Sequence, residues 1–392
     1  MSALAGASAA AADCADNVTP RCAHFGLCGG CSMQQLGAAA QLRSKQQRLR
    51  EALEQVAQAT PSRWLAPVEG PAWGYRRRAR LGVKYVRRKQ RVLVGFRERR
   101  SPLIADLQRC EVLAAPVDGL LEPLAALIER LSIRERLPQI EVAVGDDTTA
   151  LVLRVLDAPS VADGALLREF EVRHGVRLYL QTGDLSSVRS LSEPPPRLVY
   201  RLPQWQVEIE FLPTDFIQVN GAVNRTLVAQ AHELLQLEPG SSVLDLYCGL
   251  GNFSLPLARR AAGVVGVEGD PGLVQRARAN ARRNGLGNAE FFCADLSSAL
   301  GSPVWPQRRY SHVLLDPPRV GAAAQLARIA QLQPQRLLYI ACEPDSLARD
   351  VGVLLREHRF TLLAAGVVDM FPHTAHVESM ALLAPQDAAV GH

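Results

Sequence analysis

The chain has 392 residues, with 44 Lys/Arg against 39 Asp/Glu for a net charge of +5, and 48% of it is hydrophobic. That length suffices for two domains, and the balance excludes fibrous and wholly disordered classes. No apolar run is long enough to span a bilayer, and eight cysteines in so long a chain point to metal or catalytic work rather than a disulfide framework.

The N-terminal stretch MSALAGASAAAADCADNVTP is rich in Ala and Ser and has no basic start. Residues 1–21 therefore read as a flexible tail, and the chain as cytoplasmic rather than secreted. CAHFGLCGGC follows, with Cys22, Cys28 and Cys31 spaced C-x5-C-x2-C. A disulfide, a zinc site, an iron–sulfur site and three buried thiols are all open at this point. Three thiolates under-fill a tetrahedral site, so a metal needs a fourth ligand from elsewhere.

Residues 34–56 carry Leu36, Leu42, Leu49 and Leu53 at roughly helical spacing, which predicts a helix. Residues 75–100 then hold twelve of the 44 Lys/Arg and one of the 39 Asp/Glu, so that segment is +11 and the remainder −6. Leu81, Val83 and Tyr85 alternate with polar or small residues, and VLVGF at 92–96 is suited to return antiparallel. The segment is either a solvated charged hairpin or a polyanion-binding surface. Its ten Arg to two Lys suit phosphate and base-edge contacts. Residues 117–200 mix a helical run with strand-like runs, and SEPPPRLVYRLP at 192–203 marks a boundary.

Beyond residue 212 buried strands alternate with helical connections, which predicts an α/β domain with a parallel, doubly wound sheet. Asp245, Glu268, Asp295, Asp316 and Cys342 fall at or near strand ends, where such sheets bind ligands. DLYCGLGNF lacks a phosphate loop and falls short of a full dinucleotide fingerprint. Gly249 and Gly251 allow close approach without a diphosphate cradle, and Glu268 is spaced to hold ribose hydroxyls. S-adenosylmethionine fits this pattern best, a dinucleotide second, and a ligand-free turn third.

Cys342 ends an apolar strand beside Asp316-Pro317-Pro318-Arg319, whereas Cys248 and Cys293 read as buried small hydrophobes. A thiolate is useful where the carbon to be methylated is not itself nucleophilic, as at uracil C5. Addition to C6 makes C5 an enolate carbon, and a base must later remove its proton. VVDMFPHTAHVESM offers His373, His376 and Glu378, with Glu378 preferred if burial raises its pKa.

FIQVN (216–220), DLYCGLGNFSLPLA, VGVEG, LLDPPR, CEPDSLARD and DMFPHTAHVES follow the order and wording of the RNA uracil-C5 methyltransferases, which this chain resembles from about Cys22 to Ala384. The N-terminal cysteines and LQRCEVLAAPV resemble the branch acting on 23S ribosomal RNA. The resemblance implies a class I S-adenosylmethionine-dependent domain (206–392) behind an N-terminal mixed α/β domain that binds RNA and carries an iron–sulfur cluster (22–205). It implies Cys342 as nucleophile and Glu378 as base, with Gln218, Tyr247, Asn252, Glu268, Asp295 and Asp316 binding the cofactor, and Gln218 and Asp316 also facing the uracil. Cys22, Cys28, Cys31 and Cys110 match the four ligands of a [4Fe–4S] cluster, expected to be structural, with zinc as the alternative metal. The family usually has Phe where Tyr247 stands, and Asn often stands at Asp295.

Branch members commonly carry a small β-barrel RNA-binding domain before the cysteines, so RNA grip is expected to rest on the basic hairpin and the central region. A monomer is expected. Another 23S uridine, transfer RNA or cytosine as the target, a small-molecule methyltransferase, and a non-catalytic iron–sulfur RNA-binding protein are the competing readings.

Overall fold

The computed structural model describes residues 16–298 and 308–386. Most of the expected tail, residues 1–15, lies outside them. From Asp16 the chain is tied down by backbone bonds, Gly37 N–H to Asp16 O at 2.8 Å and Val18 N–H to Gln35 O at 2.8 Å.

The expected first helix starts later than its leucines suggest. Gly37 is extended, so α1 runs Ala38–Ala52 and then widens into a π-helical turn, Leu53–Ala57. Its buried stripe holds Gln41, Lys45 and Leu49 at i, i+4, i+8. Strand β1 (Arg63–Trp64) comes next, then β2 (Arg78–Val86) and β3 (Arg91–Gly95), which pair antiparallel with Val83 opposite Val94, as the alternation predicts. Helix α2 (Leu121–Arg130), β4 (Gln139–Val144), β5 (Thr149–Arg154), α3 (Val161–His174), β6 (Arg177–Gln181) and β7 (Arg189–Ser190) follow. The six-stranded sheet has the order β3-β2-β4-β5-β6-β7. The proline-rich segment leads into a separate two-stranded ribbon, β8 (Leu198–Leu202) with β9 (Val207–Phe211).

Helix α4 (Gly221–Leu235), capped by the Asn220 side chain, opens the C-terminal half. The succession is then β10 (Ser242–Leu246), α5 (Ser254–Ala258), β11 (Gly263–Glu268), α6 (Pro271–Arg283), β12 (Ala289–Cys293), β13 (His312–Leu315), α7 (Leu326–Leu332), β14 (Arg336–Ala341), α8 (Pro344–His358), β15 (Phe360–Val368) and β16 (Glu378–Pro385). The sheet order is β1-β15-β16-β14-β13-β10-β11-β12. Strands β10 to β14 are parallel to one another, and their buried positions are apolar apart from Asp245 and His312, as suits a sheet covered on both faces.

The sheet departs from the expected all-parallel form at one place. Strand β16 runs antiparallel, inserted between β14 and β15. A short return from β15 needs no crossover helix, so the hairpin can slot its second strand inward. That insertion carries Glu378, the first residue of β16, to the carboxyl end of β14, and Ser379 pairs with Ala341, the residue before Cys342. Strand β1 adds to the same sheet through β15. Among the described residues no helix is long and apolar enough to cross a membrane.

Candidate active site and cysteine site

Neighbours diverge from β10, with β11 on one side and β13 on the other, so the crevice at its carboxyl end is the ligand position for this topology. A cavity of about 540 Å³ lies there, and Gln218, Tyr247, Asn252, Glu268, Asp316, Cys342 and Glu378 all line it. Of the eight sequence-derived site residues, only Asp295 is absent from that lining. It is exposed, and its carboxylate accepts from Ser297 N–H at 2.8 Å and from the Ser297 hydroxyl, closing a turn.

The turn after β10 shows why the glycines are there. Gly249 and Gly251 have φ of 54° and 90°, and a Cβ on Gly251 would stand 2.9 Å from the Leu255 side chain. Glu268 is held by three backbone donors: Gly249 N–H at 3.1 Å, Gly269 N–H at 2.7 Å and Asp270 N–H at 3.1 Å. Its carboxylate is thereby aimed at the cavity with about one lone pair, on Oε2, left for a hydroxyl donor. Asn252 forms a reciprocal amide pair with Asn224 (2.8 and 2.9 Å) and accepts from the Tyr200 hydroxyl at 3.0 Å. Asn224 and Tyr200 escape sequence reading because they lie 28 and 52 positions away. Gln218, by contrast, makes no side-chain hydrogen bond among the described residues, so its amide is available to a ligand.

At the chemical end, Cys342 is half-buried beyond β14. Burial raises its thiol pKa, with Glu378 and Asp316 adding to the rise and Arg319 opposing it. Glu378 is 7% exposed and its Oε2 is buried without a partner. Burial pushes its carboxyl up to about 8, reinforced by Asp316 and opposed by Lys45. Asp316, also half-buried, is pushed up to about 7 by burial. Two carboxyls and a thiol in one low-dielectric corner favour their neutral forms, the condition in which a small charge change moves a proton.

The loop of residues 369–377, which delivers Glu378, is held by the N-terminal segment. Lys45, 2% exposed, pairs with Asp369 at 2.6 Å and donates to Phe371 O at 2.9 Å. Gln41 accepts from His373 N–H at 2.8 Å and its amide nitrogen lies 3.2 Å from His373 Nδ1. Ser32 and Met33 N–H both donate to His373 O, at 2.9 and 3.0 Å. His373 is thus a buried structural group, and exposed His376 bonds Arg319 at 3.3 Å. Nothing in the sequence marks Gln41 and Lys45, because polar residues on a helix ordinarily face water.

Cys22, Cys28, Cys31 and Cys110 line one small cavity, and none is in a disulfide. A Cβ on Gly29 would stand 3.1 Å from Arg97 O, and one on Gly30 would stand 3.2 Å from the Phe96 ring. Gly30 N–H donates to Cys28 Sγ at 3.4 Å. Among the described residues no group of three or more His, Cys, Asp or Glu could hold a metal ion. A cubane cluster spreads its thiolates over four irons, so its ligands stand farther apart than those of one ion. Cys248 is buried as expected. Cys293 is exposed instead, because it ends β12, an edge strand.

Half of the basic segment is paired with carboxylates of the protein. Arg77 pairs with Asp146 at 2.6 Å, Arg78 and Arg80 with Glu141 at 3.7 and 3.0 Å, Arg87 with Glu135 at 2.5 Å, and Lys89 and Arg91 with Asp106 at 3.5 and 3.2 Å. Six basic residues share four carboxylates, so the hairpin keeps a positive excess.

A doubly wound sheet with this strand order, an adenosine-sized crevice and no diphosphate cradle define an S-adenosylmethionine-dependent methyltransferase of class I. Residues 201–386 match the family described as tRNA (Uracil-5-)-methyltransferase. The chain is 51% identical over 368 residues to the 23S rRNA (uracil(1939)-C(5))-methyltransferase RlmD of Alkalilimnicola ehrlichii, covering 94% of this chain and 83% of that one. It is 49% identical to the protein of that name from Nitrosospira multiformis, over 93% and 84% of the two chains. A solved structure, the Pyrococcus abyssi tRNA (uracil-54, C5)-methyltransferase with S-adenosyl-L-homocysteine, shares the fold with a TM-score of 0.71 at 24% identity, over 91% of this chain and 86% of that one. The chain belongs to the RNA uracil-C5 methyltransferase family, in its RlmD branch.

Proposed function

We propose that this chain methylates C5 of a uridine in 23S ribosomal RNA, the one numbered 1939 in its relatives' names. The observation that carries the reading is the one cavity shared by Cys342, Asp316, Glu378 and four cofactor-side residues. The uridine must leave its stack for C6 to be reached. The Cys342 thiolate adds to C6, and the negative charge passes to the ring as an enolate, met by Gln218 and Asp316. S-adenosylmethionine supplies the methyl group and a sulfonium cation whose charge favours the ionised thiol and carboxyls around it. Glu378 then takes the C5 proton, the C6–S bond breaks, and the ring double bond and the thiolate are restored. Glu268 holds the ribose, and Tyr247 and Asn252 shape the cofactor wall.

The four cysteines fit a [4Fe–4S] cluster through their shared cavity and all-thiolate donor set. Held so, the cluster ties residues 22–31 to Cys110 and acts as a structural staple. This reading divides the chain into an iron–sulfur and RNA-binding region, 22–205, and a methyltransferase region, 206–392, joined where α1 and β1 pack on the second sheet. It describes a cytoplasmic, monomeric enzyme.

The test is methyl transfer from labelled S-adenosylmethionine to unmodified transcripts of 23S ribosomal RNA and of transfer RNA, followed by mapping. Label on one 23S uridine is expected, with none after Cys342→Ala. Label on transfer RNA alone, on another 23S uridine, or undiminished in the variant overturns the corresponding part. Protein purified without oxygen should contain about four irons per chain. One zinc and no iron would overturn the cluster.

A further inference from the structure

Of the twelve basic residues between 75 and 100, six have no carboxylate partner among the described residues: Arg76, Lys84, Arg88, Arg97, Arg99 and Arg100. Four of these, all arginines, converge on one cavity of about 670 Å³. Glu98 is the sole carboxylate in its lining, so the cavity carries a net excess of three positive charges. Its opposite wall is the loop that delivers the base, with Phe371, Thr374, Ala375 and His376. The His376 ring, which lies 5.4 Å from the Phe371 ring, also bonds Arg319, and Arg319 lines the catalytic cavity. The two cavities are therefore neighbours across the Arg319–His376 contact.

The arginine wall is built rather than loosely hung. Arg97 O accepts from Gly29 N–H at 2.8 Å, Arg99 N–H donates to Leu27 O at 2.7 Å, and Ala105 N–H donates to Phe96 O at 2.9 Å. Arg97 and Glu98 thus form isolated bridges to Ile104 and Cys28, clamped between the cysteine loop and residues 103–105. Arg100 sits at φ 59°, a conformation a branched or long side chain adopts only when its surroundings impose it. Arg76 lies with its guanidinium 5.5 Å from the Phe96 ring centroid, which orients it. Clustered guanidinium groups on a held backbone, facing aromatic rings, are what a nucleotide asks for, since they meet phosphate oxygens bidentately while the rings take the face of a base.

We infer that this second cavity holds the nucleotide flanking the target uridine, its phosphates on Arg97, Arg99 and Arg100 and its base against Phe371 and His376. The inference rests on the proposed RNA substrate. Filling the second cavity puts a phosphate anchor beside the catalytic cavity, so the chain between the two is drawn taut and the target base is turned inward. Of the segment's other eight basic residues, six are paired with the protein's own carboxylates, and Lys84 and Arg88 lie outside this cavity.

The experiment compares the parent with the triple variant Arg97→Gln, Arg99→Gln, Arg100→Gln, and with Arg88→Gln as a charge control at the hairpin tip. Binding to an unmodified 23S transcript is titrated by anisotropy at several salt concentrations, and S-adenosylmethionine affinity is measured by calorimetry. Losing three single-strand phosphate contacts lowers the salt slope by about 2 and the affinity at physiological salt by roughly ten- to a hundredfold. S-adenosylmethionine binding stays within twofold, and the control shifts the slope by under about 0.5. A triple variant that binds RNA as the parent does overturns the inference, as does a control with an equal loss. A parent that neither binds nor methylates the transcript fails the proposed function and takes the inference with it. Should the triple variant lose S-adenosylmethionine binding, Arg99→Gln alone carries the test, with an expected slope change of about 0.7.

Discussion

Replacing Glu378 by Gln should stabilise the protein, and only at higher pH. Glu378 is 7% exposed, one of its oxygens has no partner, and burial pushes its pKa from the ordinary 4.5 to about 8. Between those values the unfolded chain has released the proton while the folded chain keeps it. The folded state binds more protons there, so stability falls as pH rises, beginning near 4.5 and complete just above 8. At about 1.36 kcal/mol per tenfold change, the gap sets a ceiling of roughly 5 kcal/mol on the loss. Gln reproduces the shape and hydrogen-bonding capacity of the protonated acid but does not titrate. Asp316 reinforces the effect, because removing Glu378 also removes a like charge from beside it. Urea unfolding followed by circular dichroism at pH 5, 7 and 9 reads this directly. Parent and variant should coincide near pH 5 and differ by about 3–5 kcal/mol at pH 9. Curves that stay within about 1 kcal/mol of each other from pH 5 to 9 would refute the reasoning.

The same Glu378→Gln protein, given S-adenosylmethionine and an unmodified 23S transcript, should accumulate a methylated RNA adduct that survives denaturing electrophoresis; release of free product at the parent's rate would rule Glu378 out as the base. Lys45→Met strips a buried ammonium from Asp369 and should cost about 3 kcal/mol in unfolding free energy, with adduct release slowed more than adduct formation. Equal slowing of both steps would make the pair merely structural. Asn224→Leu unlocks Asn252 and should weaken S-adenosylmethionine binding roughly tenfold by calorimetry while leaving RNA affinity unchanged. An unaltered cofactor affinity would show that Asn252 needs no such support.

The catalytic half was readable because its signals are local. Leu-rich and Val-rich strands followed by Glu268, Asp316 or Cys342 announce a parallel sheet and its ligand edge within a dozen residues each. What stayed hidden depends on partners far away. Strand β16 is buried in every position and apolar from Met380 onward, and an apolar run looks alike whether it runs parallel or antiparallel. Arg77, Arg78 and Arg80 read as a polyanion surface because Asp146 and Glu141, which neutralise them, come some sixty positions later. Lys45 and Gln41 carry no signal in the sequence for the same reason, since Asp369 and His373 lie more than 300 positions on. The cysteine spacing alone shows three thiols; Cys110 comes from the family resemblance, and the fold places it in their cavity.

The strap that holds the base loop closes over 332 sequence positions, from Gln41 to His373. A ribosome adding roughly 5–20 residues per second needs about 15–70 s to make that distance. Through that interval α1 has no loop to receive Lys45, and the methyltransferase sheet lacks the strand that carries Glu378. Catalytic competence therefore arrives in one late step, when β15 and β16 dock and the earliest and latest parts of the fold meet. On the mechanism proposed above, a chain that ends before β16 carries the cofactor turn and Cys342 but lacks the group that would release an adduct. Assembly order would then make such a partial enzyme a covalent trap for its substrate rather than a slow catalyst.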